Sequence, residues 1–216
     1  MKNKYFIITI CIMSIAARLS FGSQLLGTLE NPIIDSNITW NQALIKKSGM
    51  TAPENIIKNQ VLLTVLYYSF DNKIHQGQIV IHKELTEDIK IIFSLALKEK
   101  FPFGSVIPIS KFEWNDGKSM KANNTSGFNF RNAAGSNVLS KHAFGRAVDI
   151  NPFLNPYIKN NISLPWGSQY IPDKPGTLTQ KSPLVKAFLK LGWIWGGNWK
   201  TLKDYQHFQK QSKPRF

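Results

Sequence analysis

Two short stretches far apart in this chain each set a histidine near an aspartate, and any fold it adopts has to account for both. Only four histidines are present: His75, His82, His142 and His207. His142 is followed by Asp149 in the segment Ser140-Lys141-His142-Ala143-Phe144-Gly145-Arg146-Ala147-Val148-Asp149, and His207 is preceded by Asp204 in Asp204-Tyr205-Gln206-His207. The odd spacing of His142 and Asp149 would put them on opposite faces of an unbroken strand. The chain must therefore bend between them, and Gly145 is the residue free to take an unusual φ. Ala147 to Ile150 then reads as a short strand with Val148 and Ile150 toward the core and Asp149 toward the site. Asp204 and His207 can face one centre from a single helical turn, or from a tight turn entering a strand.

The rest of the chain supplies a scaffold. Gln60 to Phe70 and Ile74 to His82 read as a β-hairpin around Asp71-Asn72-Lys73. Leu85 to Lys100 has a helical pattern, with Ile89, Ile92, Phe93, Ala96 and Leu97 on one face, Thr86 as N-cap and Pro102 as the stop. Val106 to Ile109 reads as a further short strand. Residues 115–141 lack apolar periodicity and read as a long irregular region. Ser182 and Pro183 open a second helix with Leu184, Val185, Phe188 and Leu189 inward, and Gly192 closes it. Trp193 to Trp199 reads as two short strands about Gly196-Gly197. Trp193, Trp195 and Trp199 belong to the core first, with one or two free to face a cleft.

The first residues stand apart. Lys2 and Lys4 precede an uncharged run from Tyr5 to Ala17, and Ser20 and Gly22 are small residues suited to cleavage before Ser23. That run is too short to span a bilayer and fits a secretory signal, residues 1–22. An uncleaved anchor is the alternative, and both imply export to the periplasm or beyond. Residues 23–58 read as an extended arm and 59–216 as one domain. The single cysteine, Cys11, lies in the signal, so the remainder has no disulfide and no thiol nucleophile. The net charge of +14 favours polyanions such as wall polymers. No zinc-finger, RNA-recognition or basic-zipper pattern supports a nucleic-acid partner. No long amphipathic basic helix supports membrane insertion once the signal is removed.

His142, Asp149 and His207 form a two-imidazole, one-carboxylate set, which suits a hydrolytic Zn2+ site with an open fourth position. Asp204, beside His207, is placed to take a proton from activated water. His75 and His82 lack a carboxylate at ligand spacing and read as structural. Gly-x-Ser-x-Gly, the phosphate-binding Gly-x-x-x-x-Gly-Lys and His-Glu-x-x-His are all missing from the chain, which removes the main support for serine-hydrolase, nucleotide-binding and thermolysin-type readings.

Together these motifs resemble the D-alanyl-D-alanine carboxypeptidase group of zinc peptidases. That group includes vancomycin-resistance dipeptidases and phage L-alanyl-D-glutamate endopeptidases, and is related in fold to the hedgehog signalling domain. The likeness also rests on Asn123 to Arg131, Asp149-Ile150-Asn151-Pro152 with Asn155-Pro156-Tyr157, and Gly192 to Trp199. It implies that His142, Asp149 and His207 bind zinc and that Asp204 is the general base. It also implies that Arg131 faces the substrate carbonyl or carboxylate and that Ser140 lines the site to bind substrate. Asp204 stands where the dipeptidase branch has Glu, which sets this chain nearer the endopeptidases.

The fold expected is α+β: a small antiparallel sheet, helices packed on one side and the zinc site in a cleft on the sheet. The activity implied is hydrolysis of an amide bond in peptidoglycan stem peptides, of D-Ala-D-Ala or L-Ala-D-Glu type, by a monomer. The alternative is a zinc-containing module that binds wall or protein without cleaving it.

Overall fold

The computed structural model describes residues 25–44 and 51–212. The signal read at residues 1–22 lies outside them. No helix among the described residues is long and apolar enough to cross a membrane.

The fold is α+β, with several small sheets. The largest has four strands in the order β1 (Ile33–Ile34), β3 (Ile74–His82), β2 (Gln60–Ser69) and β4 (Pro102–Phe103). The central hairpin is antiparallel from Gln60 opposite His82 to Tyr68 opposite Ile74, as its sequence predicts. The short outer strands β1 and β4 pair in parallel, so the sheet is mixed. The N-terminal segment is more than an extended arm: besides β1 it forms α1 (Trp40–Leu44) and α2 (Glu54–Ile57). Asp35, just after β1, bonds both His75 (2.8 Å) and Tyr67, tying this segment to the hairpin.

Helix α3 (Thr86–Lys98) packs on β2 and on α5 (Pro183–Lys190). Ile89, Ile92, Phe93 and Ala96 are buried on one face, as their spacing requires. The helix begins one residue earlier than a Thr86 cap implies. Leu85 occupies the N-cap, and the Thr86 hydroxyl donates instead to the Lys83 carbonyl. In α5, Leu184, Val185 and Phe188 turn inward while Leu189 stays exposed.

Strands β5 (Ser105–Val106) and β6 (Asn124–Thr125) pair in parallel. The strand read at Val106–Ile109 thus ends at Val106, and a 3-10 turn takes over at Ile109. The region read as irregular contains α4 (Asp116–Lys121), capped by the Asn115 side chain on the Lys118 amide. It is short and almost wholly polar, so it has no apolar stripe to reveal it.

The site stands on two small antiparallel sheets. One has the order β10 (Ile194–Trp195), β12 (His207–Gln209), β7 (Ala147–Asp149); the other β11 (Lys203–Asp204), β8 (Tyr157–Lys159), β9 (Ile162–Leu164). The Gly196–Asn198 segment is a 3-10 turn, so the stretch around the glycine pair holds one strand where two are expected. Val148, Ile150, Trp193, Trp195, Phe188 and Phe208 join the main core, with Phe188 stacked on Phe208 at 4.0 Å. Burying one such aromatic contributes roughly 1.5–3 kcal/mol.

Candidate metal centre

The bend between His142 and Asp149 is a 3-10 turn (Lys141–Phe144) closed by Gly145 at φ 63°. A Cβ there would lie 1.9 Å from Gln60 Oε1 and 2.7 Å from the backbone nitrogen of His82, so the turn needs glycine by conformation and by space. The Ser140 side chain caps this turn, accepting from the His142 amide at 3.2 Å. Beyond the turn, β7 pairs with β12 so that Asp149 lies directly opposite His207. The strand after Asp149 is pinned by Asn151 and Asn155. Asn155 Nδ2 reaches the carbonyls of Ile150, Asn151 and Gly176, and its Oδ1 accepts from Leu178.

Asp204 and His207 are joined by the two-residue turn Tyr205–Gln206 between β11 and β12. Of the two geometries open in the sequence, this is the tight turn entering a strand. Gly196 allows the approach of β11: a Cβ there would meet the Asp204 carbonyl at 2.5 Å. Trp195 Nε1 donates to the Tyr205 carbonyl, and Tyr205 stacks on Tyr170 at 3.6 Å.

The three ligand candidates converge. His142 Nε2 lies 3.2 Å from His207 Nδ1 and 3.1 Å from Asp149 Oδ2, and His207 Nδ1 lies 2.9 Å from Asp149 Oδ1. A tetrahedral zinc with bonds of about 2.0–2.1 Å sets its ligand atoms about 3.3 Å apart. All three residues are buried, and they form the group of metal-ligating side chains found among the described residues.

The outer hydrogen bonds fix which ring nitrogens face inward. His142 Nδ1 lies 2.6 Å from the Gly127 carbonyl and His207 Nε2 lies 3.1 Å from Gln209 Oε1. Each of those oxygens accepts a hydrogen bond from its ring N–H, so each neutral ring turns a lone pair toward the Asp149 carboxylate. Three lone-pair donors aimed at one point call for a cation, and the donor set fits a zinc-like ion. Without one, a proton takes its place. Burial pushes the His207 imidazole down, but the bond to Asp149 and its charge outweigh this and raise it to about 9. Burial alone would raise Asp149, yet His142 and then His207 hold its carboxyl well below the usual range.

The centre opens into a cavity of about 360 Å³, lined by Arg131, Ser140, Asp204, Trp199 and Gln206 among others. Asp204 Oδ1 is buried without a hydrogen-bond partner. Burial raises its carboxyl to about 6 against the pull of His207, with Asp149 adding to the rise. Arg131 is held by Asp116 of α4 at 2.7 Å and donates to the Asn132 carbonyl. Ser140 also lines the cavity, although its oxygen is already engaged at the turn. Trp199 faces the site, 5.5 Å from the His207 ring, while Trp193 and Trp195 are core. His75 and His82 stand away from it. His75 sits between Asp35 and Asp71, and His82 accepts from the Glu84 amide. Sequence reasoning passed over Asp116, Gln206 and Gln209. Gln206 and Gln209 had a signal, since Gln206 lies between Asp204 and His207 in the chain and Gln209 shares a strand face with His207; Asp116 meets the site only through tertiary packing.

The buried His142, Asp149 and His207 could hold a metal ion, and Asp204 Oδ1 is unpaired in the same cavity, an arrangement suited to metal-assisted hydrolysis. Residues 134–210 match the family model described as D-alanyl-D-alanine carboxypeptidase. The match spans all three ligand candidates and Asp204. No curated protein and no solved structure matches the chain.

Proposed function

We propose that the protein is an exported zinc peptidase that hydrolyses an amide bond in the peptide stem of peptidoglycan. The observation that carries this reading is the convergence of His142 Nε2, Asp149 and His207 Nδ1 beside the unpaired Oδ1 of Asp204 in one cavity. The family match supports the bond class, and the basic start with its apolar run supports export.

A zinc ion held by His142, Asp149 and His207 supplies Lewis acidity toward water and a carbonyl oxygen. The chain's own residues do the rest. Asp204, ionised above its raised pKa, takes the proton of the attacking water on Oδ1 and later delivers it to the leaving amine. Arg131, kept in place by Asp116, faces the substrate carbonyl or carboxylate and offsets the charge that develops on oxygen. Gly127 and Gln209 hold the two imidazoles in their ligating orientation.

Purified protein lacking residues 1–22 should hold about one zinc per chain and change the muropeptide pattern of digested cell wall. His142→Ala should lose metal and turnover together. An unchanged muropeptide pattern from the zinc-loaded protein would mean a binding module and overturn the hydrolase reading.

A further inference from the structure

Six buried side-chain atoms among the described residues have no hydrogen-bond partner, and three of them belong to residues lining the same cavity: Arg131 Nε, Asp204 Oδ1 and Gln206 Oε1. Buried polar atoms are nearly always paired, so a cluster of unpaired ones points to a missing ligand. Proton transfer accounts for Asp204, and a substrate oxygen accounts for Arg131. The Gln206 amide bonds the Asp204 carboxylate and lowers its pKa against the effect of burial, but that role leaves Gln206 Oε1 unused.

Gln206 is only 3% exposed and sits in the turn between β11 and β12. Its backbone carbonyl is taken by the Ile150 amide at 3.0 Å. Its side-chain nitrogen faces Met120 Sδ at 3.7 Å, which turns the carbonyl oxygen away from that sulfur. A leucine or methionine would fill the same volume without the roughly 1–3 kcal/mol cost of burying an unpaired acceptor. An amide oxygen only accepts, so what completes it must be a donor. Arg131 Nε only donates, so what completes it must be an acceptor. A peptide backbone offers both groups, N–H and C=O, at every residue.

We infer that Gln206 is a specificity residue whose side-chain carbonyl accepts a hydrogen bond from one backbone N–H of the bound peptide. The site therefore selects an amide over an ester at that linkage. This deepens the reading above and rests on a peptide being the ligand.

The test titrates the protein, in chelator to prevent turnover, with a stem pentapeptide and with analogues in which one amide at a time is replaced by an ester. The wild type should bind one analogue ~10–100-fold more weakly than the parent, the loss set by leaving a buried acceptor unpaired. Gln206→Leu should bind the parent about as weakly and should bind that one analogue no worse than the wild type does. Equal binding of all analogues by the wild type overturns the inference, as does failure to bind the peptide. So does a Gln206→Leu penalty that is the same for every analogue. If Gln206→Leu does not fold, the wild-type series decides alone. Selective binding without cleavage by the zinc-loaded protein would sink the peptidase reading and leave Gln206 standing. Cleavage with no ester-sensitive linkage would do the reverse.

Discussion

Asp149 and His207 face each other across the β7–β12 ladder, with the imidazole Nδ1 2.9 Å from the carboxylate. A single antiparallel pair thus delivers two of the three ligand candidates, and the Gly145 turn delivers the third.

Metal binding must displace the proton that His207 holds up to about pH 9. The folded value is raised, so the proton's stabilisation of the metal-free site is complete below the ordinary histidine range and fades as pH rises through 9. Zinc affinity should therefore climb with pH, by about tenfold per unit at most, and level off above 9. Chelator competition between pH 6 and 10 measures this; a flat profile contradicts the proton assignment.

Asp204 carries the opposite trade. Its carboxyl is raised to about 6, so ionisation costs folding stability as pH climbs through the interval above its ordinary value. In metal-free protein at pH 7, Asp204→Asn should raise the melting temperature, corresponding to about 1–2 kcal/mol after allowance for solvent screening. The same variant should keep its zinc and lose turnover about 10²–10⁴-fold. Because a bound cation favours the ionised carboxylate, the acid limb of kcat/KM should fall at or below pH 6.

Gly145→Ala should destabilise the protein by about 2–4 kcal/mol, since the left-handed turn and the space beside His82 both exclude a side chain. Equilibrium denaturation reads the loss. Zinc affinity should drop with it, because the turn sets His142.

Asn155→Ala removes four bonds from a fully buried side chain. A cost of about 2–4 kcal/mol follows from the unpaired carbonyls and amide left behind. A change below 0.5 kcal/mol would mean that the loop after Asp149 is held by something else.

Much of this arrangement was legible beforehand because ligand chemistry and backbone parity are local. The seven-residue step from His142 to Asp149 demanded a bend, and Gly145 is where it falls. The hairpin and α3 followed from unbroken apolar spacing. Helix α4 did not, because its six residues carry almost no apolar pattern and their stability comes from the Asn115 cap and tertiary contacts. The second strand expected after Gly196-Gly197 was lost for a related reason, since glycine leaves the local backbone undecided and packing against Asp204 chooses a tighter turn. The hold of Asp116 on Arg131 joins residues whose separation in the chain gives no periodic cue.

The Tyr205–Gln206 corner has a mechanical meaning. His207 is stitched into one ribbon with Asp149, while Asp204 is stitched to Tyr157 in another. The corner therefore works as a spacer gauge between the cation cradle and the proton acceptor. Adding or removing one residue there would swing the acceptor to the wrong side of its ribbon while sparing the cradle, leaving a protein that still loads its ion but has nowhere to send the proton.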